Sequence, residues 1–409
     1  MSKRLHSLPQ FRGAPLLTLI SIFLMMQSLS TDMYVASFPS LATYFNVPAS
    51  AVQMTLSIFV IGFGTAQLGI GPLSDRFGRR PILLSGLALY LIASILCALS
   101  PSIWLLITAR LLQALGCCST FIIGRAIIRD AYAPENGMLV MVRASTWLSL
   151  TPLLGPIIGS YFEVWFGWRA TFAFHTLVAA CLLTAVYLRL PETNANKNPD
   201  ATNLSGLITN YREVLGTRAF WAYALPGALS YGSIFTFISG ASMVLIRVLN
   251  LPVTWFGYCF SFGTLGYMLA TMLCQRLLKR MNAGAAFRIG TTLSLSAGLL
   301  FFGCTITGMH HWTIVVATMF LTFGAHGINS PISQAGAVTP FPTQAGTAAG
   351  LSGGMYMVMA FIIGSFVGGT YDGTLYPLAT LALVNGILLF ICVRVFPELR
   401  KKKTDESLG

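Results

Sequence analysis

Charge is scarce in this chain. Only 9% of its 409 residues are Asp, Glu, Lys or Arg, against 55% hydrophobic residues. A globular domain carries roughly a quarter charged residues. So poor a supply excludes a continuous water-facing surface, and lipid is the solvent that fits. Acid is scarcer still, with 12 Asp and Glu beside 25 Lys and Arg, a net charge of +13. In a soluble protein that balance would point to nucleic acid; here the placement of the bases follows a membrane pattern, so no nucleic-acid partner is expected. Other things are missing as well. No glycine-rich phosphate loop is present, which argues against ATP drive. No Ser-His-Asp set or metal-ligand spacing occurs, so neither an enzyme nor a metal site is expected. The eight cysteines show no disulfide spacing and read as small apolar packing residues.

What is there is a succession of long apolar runs. Twelve are long enough to cross roughly 30 Å as helix: 15–38, 51–73, 81–99, 103–127, 140–162, 170–190, 219–245, 254–275, 285–307, 312–334, 345–368 and 374–396. The basic Met1–Gly13 stretch resembles neither a signal nor a transit peptide, so the first run is read as a span. With twelve spans, nearly every base falls on one side. Lys3, Arg4 and Arg12 precede span 1, and Arg76, Arg79 and Arg80 follow span 2. Arg125, Arg129 and Arg143 lie near the next such loop. Arg189, Lys197, Arg212 and Arg218 flank the middle connection, Arg276 to Arg288 follow span 8, and Arg394 to Lys403 follow span 12. The other side holds only Arg169 and Arg247. Positive residues stay in the cytoplasm, which places both termini there.

The polar stretch Pro191–Thr217 divides the chain nearly in half and reads as a flexible linker with one amphipathic piece, "LITNYREVLG". The halves echo each other: Arg76, Arg79 and Arg80 recur 200 residues on as Arg276, Lys279 and Arg280, and "IIGS" occurs at Ile157 and again at Ile362. The expected organisation is an N-terminal six-helix bundle over 1–190, a cytoplasmic linker over 191–217, and a C-terminal six-helix bundle with a short tail over 218–409. Such paired halves place a substrate site at their interface near mid-membrane.

Asp32 is the one acid placed firmly inside a span. Arg110, in span 4, lies at matching depth, because span 1 runs outward and span 4 inward. An intramembrane charge costs on the order of 2.5–3.5 kcal/mol on insertion scales and faces a cavity or a partner. Asp32 and Arg110 are therefore expected to interact, directly or through water, and to couple proton and substrate binding. The plainer alternatives are that Asp32 caps its helix at the aqueous end and that Arg110 snorkels outward. Gln113, Cys117 and Thr120 share the Arg110 face at helical spacing and could line a water-filled path, as could Gln27 and Tyr34 on span 1. The C-terminal half has no intramembrane charge. There His326 and Ser330 form a polar stripe, and Tyr231 and Phe235 offer rings to a flat ligand; each could equally be packing.

"GPLSDRFGRRP", Gly71 to Pro81, combines a turn at Gly71 and Gly78 with Asp75, Arg76, Arg79 and Arg80, and could latch the inner side in one conformation. That string resembles the hallmark loop of the major facilitator superfamily. "ARLLQALG", Ala109 to Gly116, resembles its fourth-helix motif. "GPIIGS", Gly155 to Ser160, resembles its antiporter fifth-helix motif, in which Gly155, Pro156 and Gly159 would form a helix bend or a packing ridge. "TDMYVASFP", "GRAIIRD" and "GWRATF" resemble the Bcr/CflA drug-resistance branch. The resemblance implies an all-α fold of twelve transmembrane helices in two pseudo-symmetric bundles, and a proton-coupled exporter of the bacterial inner membrane. The coupling ion would be the proton, with no organic cofactor, and the partners a small amphiphilic or aromatic molecule and the bilayer, with the chain acting as a monomer. Some relatives carry a second acid two turns earlier in the first helix; Leu24 stands there instead. An uptake symporter or facilitator for a metabolite such as a purine would use the same fold.

Overall fold

Each of the twelve apolar runs is helical over most of its length, as lipid demands of a backbone whose polar groups must be satisfied within the segment. The computed structural model describes residues 14–132, 134–195, 197–342 and 344–399. The basic residues ahead of Ala14 and the tail from Arg400, which contribute to the expected topology, lie outside them. In order the helices are α1 (Ala14–Asp32), α2 (Phe38–Tyr44), α3 (Ala49–Phe77), α4 (Arg79–Ala98), α5 (Ile103–Ala131), α6 (Pro134–Phe166), α7 (Arg169–Arg189), α8 (Leu204–Gly216), α9 (Arg218–Ser242), α10 (Val253–Arg280), α11 (Ala283–Ile306), α12 (Trp312–Val338), α13 (Ala345–Thr370) and α14 (Tyr376–Val395). Eleven stretches among the described residues are long and apolar enough to span a bilayer. The 33-residue α6 occupies the place of the remaining expected span, the fifth. No strand occurs among the described residues. Hydroxyls inside the spans are satisfied locally: Ser30 donates to Met26 O, Ser94 to Tyr90 O and Ser239 to Phe235 O, at 2.7, 2.7 and 2.8 Å.

Two expectations about local structure need correction. The first span does not run unbroken to residue 38: α1 ends at Asp32, and the chain turns through Met33 and Tyr34 into a short 3₁₀ segment, Val35–Ser37, before α2. Apolar character continues across the break, so hydropathy alone does not show it. Nor does the chain turn at Gly71: α3 continues through Gly71 and Pro72 to Phe77. Gly78 alone makes the reversal, with φ 108° and ψ 157°, a conformation that favours a residue without Cβ.

The chain packs as two units. Unit 1 comprises the residues up to Ser37 and Ile58–Leu207; unit 2 comprises Phe38–Ser57 and the residues from Ile208. Within unit 1, α1 packs on α5 and α6, and α4 on α5 and α7. Within unit 2, α9 packs on α12 and α13, and α11 on α12 and α14. These are the same pairings six spans later, matching the internal echo in the sequence. A division at the middle linker does not anticipate that Phe38–Ser57 belong to unit 2. Specific bonds hold them there. Gln53 Nε2 donates to Ser239 O at 3.1 Å, and Arg247 Nη2 donates to Pro39 O and Thr43 Oγ1, each at 2.6 Å. Arg247 and Arg169, the two bases expected on the sparse side, are both held by backbone carbonyls. Arg169 Nε donates to Ala98 O, at the C-terminal end of α4, at 3.1 Å, where a cation complements the helix dipole.

The expected flexible linker is also more ordered than its composition implies. Its amphipathic piece forms α8. The residues before it dock onto the Asp75 loop, with Asn198 N and Asn194 Nδ2 both donating to Asp75 O at 3.1 Å.

Candidate functional site

Asp32 is the last residue of α1 and is 6% exposed. Thr31 Oγ1 donates to its Oδ1 at 2.8 Å, and Asp32 makes no ion pair among the described residues. The α6 ridge packs against this helix end. A Cβ on Gly155 would sit 3.4 Å from Asp32 Cβ, and one on Gly159 would collide with Met33 O. The Gly155–Pro156–Gly159 motif therefore serves close approach here. Its small residues seat the break in α1.

Arg110 is fully buried on α5. Its Nη1 donates to Gln113 Oε1 at 2.6 Å, and Gln113 Nε2 passes the bond on to Ser94 Oγ on α4 at 2.8 Å. The guanidinium also lies among aromatic faces, 4.2 Å from the Phe59 centroid, 4.7 Å from Tyr34 and 5.9 Å from Phe172. A desolvated cation–π pair contributes about 2 kcal/mol, so the nearer rings offset a cost of the order expected for inserting the charge. Direct pairing of Asp32 with Arg110 is not observed; the aromatic cage takes the guanidinium instead. The two are still linked through the chain, since Tyr34 stands two residues after Asp32 in the same turn.

The polar face of α5 is packed against its neighbours. Cys117 and Thr120 are fully buried, and Thr120 Oγ1 donates to Phe23 O on α1 at 3.1 Å. The face expected to line a water path is packed against α1, because its small residues admit the neighbouring backbone. Gln27 is half-buried on α1, its carbonyl accepting from Thr31. Sequence reasoning missed the groups beside this network. Tyr90 pairs with Ser30 at 2.7 Å, and His175 is 1% exposed with one ring nitrogen against Leu29 O at 3.2 Å. A single histidine in α7 gives no periodic signal.

At the basic end of unit 1, Arg79 organises the loop. Its Nη1 meets Asp75 Oδ1 and Ser74 Oγ, each at 2.6 Å, and its Nε meets Asp130 Oδ2 at 2.9 Å. The side chain is 4% exposed, so two carboxylates neutralise a buried cation. Arg76 instead bonds Thr202 Oγ1, and Arg80 bonds Tyr187 O at 2.8 Å. Glu192 caps α4, accepting from Arg79 N at 2.9 Å and Arg80 N at 3.2 Å. Asp130 and Glu192 lie 51 and 113 residues from Arg79 in sequence, so spacing does not reveal them.

In unit 2, His326 is 5% exposed on α12. Ser230 Oγ lies 3.0 Å from its Nδ1, while its ring lies 5.8 Å from both Tyr231 and Tyr267. Tyr231 stacks on Tyr356 at 5.7 Å and neighbours Phe235 at 6.2 Å. Gln334 Nε2 donates to Ser330 Oγ at 2.9 Å. The candidates Tyr231, Phe235 and His326 are thus one aromatic cluster, to which Tyr267 and Tyr356 are additions.

A repeated six-helix unit with buried charge and polar networks defines a polytopic α-helical membrane transporter. A model of the Major Facilitator Superfamily matches residues 20–365, and the chain belongs to that family. It is 27% identical over 359 residues to a bicyclomycin resistance protein homolog of Haemophilus influenzae, covering 88% of this chain and 90% of the relative. It is 29% identical over 334 residues to a chloramphenicol resistance protein of Pseudomonas aeruginosa, covering 80% and 78%. A crystal structure of a POT family transporter in complex with a thioalcohol-conjugated peptide superposes with a TM-score of 0.78 at 13% identity, covering 98% of this chain and all of that one.

Proposed function

We propose that this protein exports small amphiphilic or aromatic compounds across the bacterial inner membrane in exchange for protons, by alternating access, with both termini in the cytoplasm. Asp32 carries the reading: it is a carboxyl group buried at the break of a membrane helix, held by one neighbouring hydroxyl and by no cation among the described residues. A carboxyl so placed is a carrier for the coupling proton. Because the same turn holds Tyr34 against Arg110, a change of charge at Asp32 reaches the guanidinium through the backbone of residues 32–34. Arg110 then tunes the site as a fixed cation rather than as a partner. The Asp75–Arg79–Asp130 cluster supports one conformation of the inner side. The aromatic cluster around His326 offers stacking faces to a flat substrate, and the resistance names of the relatives agree with such ligands. One acid and one arginine suit neutral or weakly charged compounds better than dications.

Everted membrane vesicles test this reading. Addition of an exported compound, from a panel that includes chloramphenicol and bicyclomycin, dissipates an imposed inside-acid gradient. No response to any compound contradicts it, and substrate uptake into whole cells down a proton gradient would favour a symporter instead.

A further inference from the structure

A cavity of about 540 Å³ opens at the basic end of unit 1, lined by Arg80, Tyr187, Leu188, Arg189, Glu192 and Lys197 among others. Its charges are unequal in availability. The Glu192 carboxylate is already committed. Oε1 accepts from Arg79 N and from Asn194 N, each at 2.9 Å, and Oε2 accepts from Arg80 N at 3.2 Å. The cations are not so committed. Arg189 and Lys197 are exposed and form no ion pair among the described residues. The Arg80 side chain donates to a carbonyl, Tyr187 O, and lies 5.9 Å from the Tyr187 ring, but it meets no carboxylate, and its buried Nε has no hydrogen-bond partner among the described residues. Three bases thus surround a cavity whose one acid is spent on a helix end.

The wall is equally uneven. Tyr187 and Leu188 are 65% and 70% exposed, and they belong to the last turn of the membrane helix α7. A tyrosine at the end of a span belongs at the headgroup level of a bilayer, with the apolar side chain beside it turned to the first carbons of the lipid tails. Basic groups at the mouth with an apolar wall beside them match a phosphate carried on a lipid. A free phosphate or a phosphorylated metabolite shares the headgroup chemistry but has no use for the apolar wall.

We propose that this cavity binds the phosphodiester of an anionic phospholipid, with Arg80, Arg189 and Lys197 around the phosphate and the acyl chains along Tyr187 and Leu188. Because Arg80 and Glu192 also fix the start of α4, an occupied site would steady the loop that carries Asp75 and Arg79.

Native mass spectrometry of the full chain in micelles doped with phosphatidylglycerol or phosphatidylcholine tests the proposal. Wild-type protein is expected to retain phosphatidylglycerol preferentially. The variants Arg189→Gln and Lys197→Gln, neither of them in the Asp75 loop, should each lower that retention by roughly fivefold. Thermal unfolding in phosphatidylcholine alone should be unchanged; Lys197→Gln, in an exposed loop, keeps the test valid should Arg189→Gln disturb α7. Equal retention of the two lipids, or retention unaffected by both substitutions, overturns the proposal. Displacement of phosphatidylglycerol by excess inorganic phosphate overturns it too and gives the cavity to a soluble anion.

Discussion

Thr31 Oγ1 donates to Asp32 Oδ1 at 2.8 Å, at the point where the first membrane helix stops. The carboxylate of the first span is therefore served by its own neighbour, while Arg110 is served by rings and by Gln113. This separation predicts distinct phenotypes. Phe59→Leu should weaken the Arg110 cage without touching Asp32. Thermal unfolding of the purified variant should show a loss of about 1–2 kcal/mol. An unchanged transition would mean that the Phe59 ring gives Arg110 nothing that a leucine does not.

The Arg79 cluster makes a stability prediction with an internal comparison. Asp130 is 16% exposed and Asp75 42% exposed, and both bind the same guanidinium. Removing the more buried partner leaves a buried cation half-compensated, which costs about 3–5 kcal/mol where burial is complete. Asp130→Asn should therefore destabilise more than Asp75→Asn, as read from unfolding temperatures in one detergent. The reverse order would assign the main support of Arg79 to Asp75.

The glycine ridge of α6 is tested by adding one carbon. Gly159→Ala places a Cβ on Met33 O, whereas Gly346→Ala meets nothing within 4 Å. The first should impair transport and lower the unfolding temperature; the second should do neither. Full activity in Gly159→Ala would show that the α1 break has room to shift.

The aromatic cluster of unit 2 predicts selectivity. His326→Ala removes the Ser230 bond and a ring flanked by Tyr231 and Tyr267. Loss of an aromatic contact is worth about 0.5–1.5 kcal/mol, so affinity for aromatic compounds should fall by roughly three- to tenfold, with proton coupling retained. Isothermal titration with each panel compound measures it. Equal affinities in variant and wild type would make His326 a packing residue.

Much of this was legible in the sequence, and what was not has physical causes. Hydropathy located the helices, eleven of which are long and apolar enough to span a bilayer among the described residues, since apolar runs of about twenty residues satisfy their own backbone polar groups as helix. It could not show the break after Asp32, because Met33 to Phe38 are as apolar as a continuous helix. Helical periodicity placed Arg110, Gln113, Cys117 and Thr120 on one face. It could not say whether water or α1 lies against that face, because small polar residues suit both. Depth matching brought Asp32 and Arg110 to one level, yet level does not fix direction, and Tyr34, Phe59 and Phe172 outcompeted the carboxylate for the guanidinium. Asp130 and Glu192 join the Asp75 loop only through tertiary packing, and the order of the linker follows from Glu192 finding the bare N-terminus of α4.

Proton coupling through Asp32 is the central claim, and transport by Asp32→Asn protein in liposomes tests it most directly. Wild-type protein should move substrate against its gradient when a pH gradient is imposed, and should move protons when substrate is added. Asp32→Asn, folded as judged by an unchanged unfolding temperature, should still exchange substrate down its gradient but accumulate none and release no protons. Substrate-driven proton movement at the wild-type rate in that variant would contradict the account.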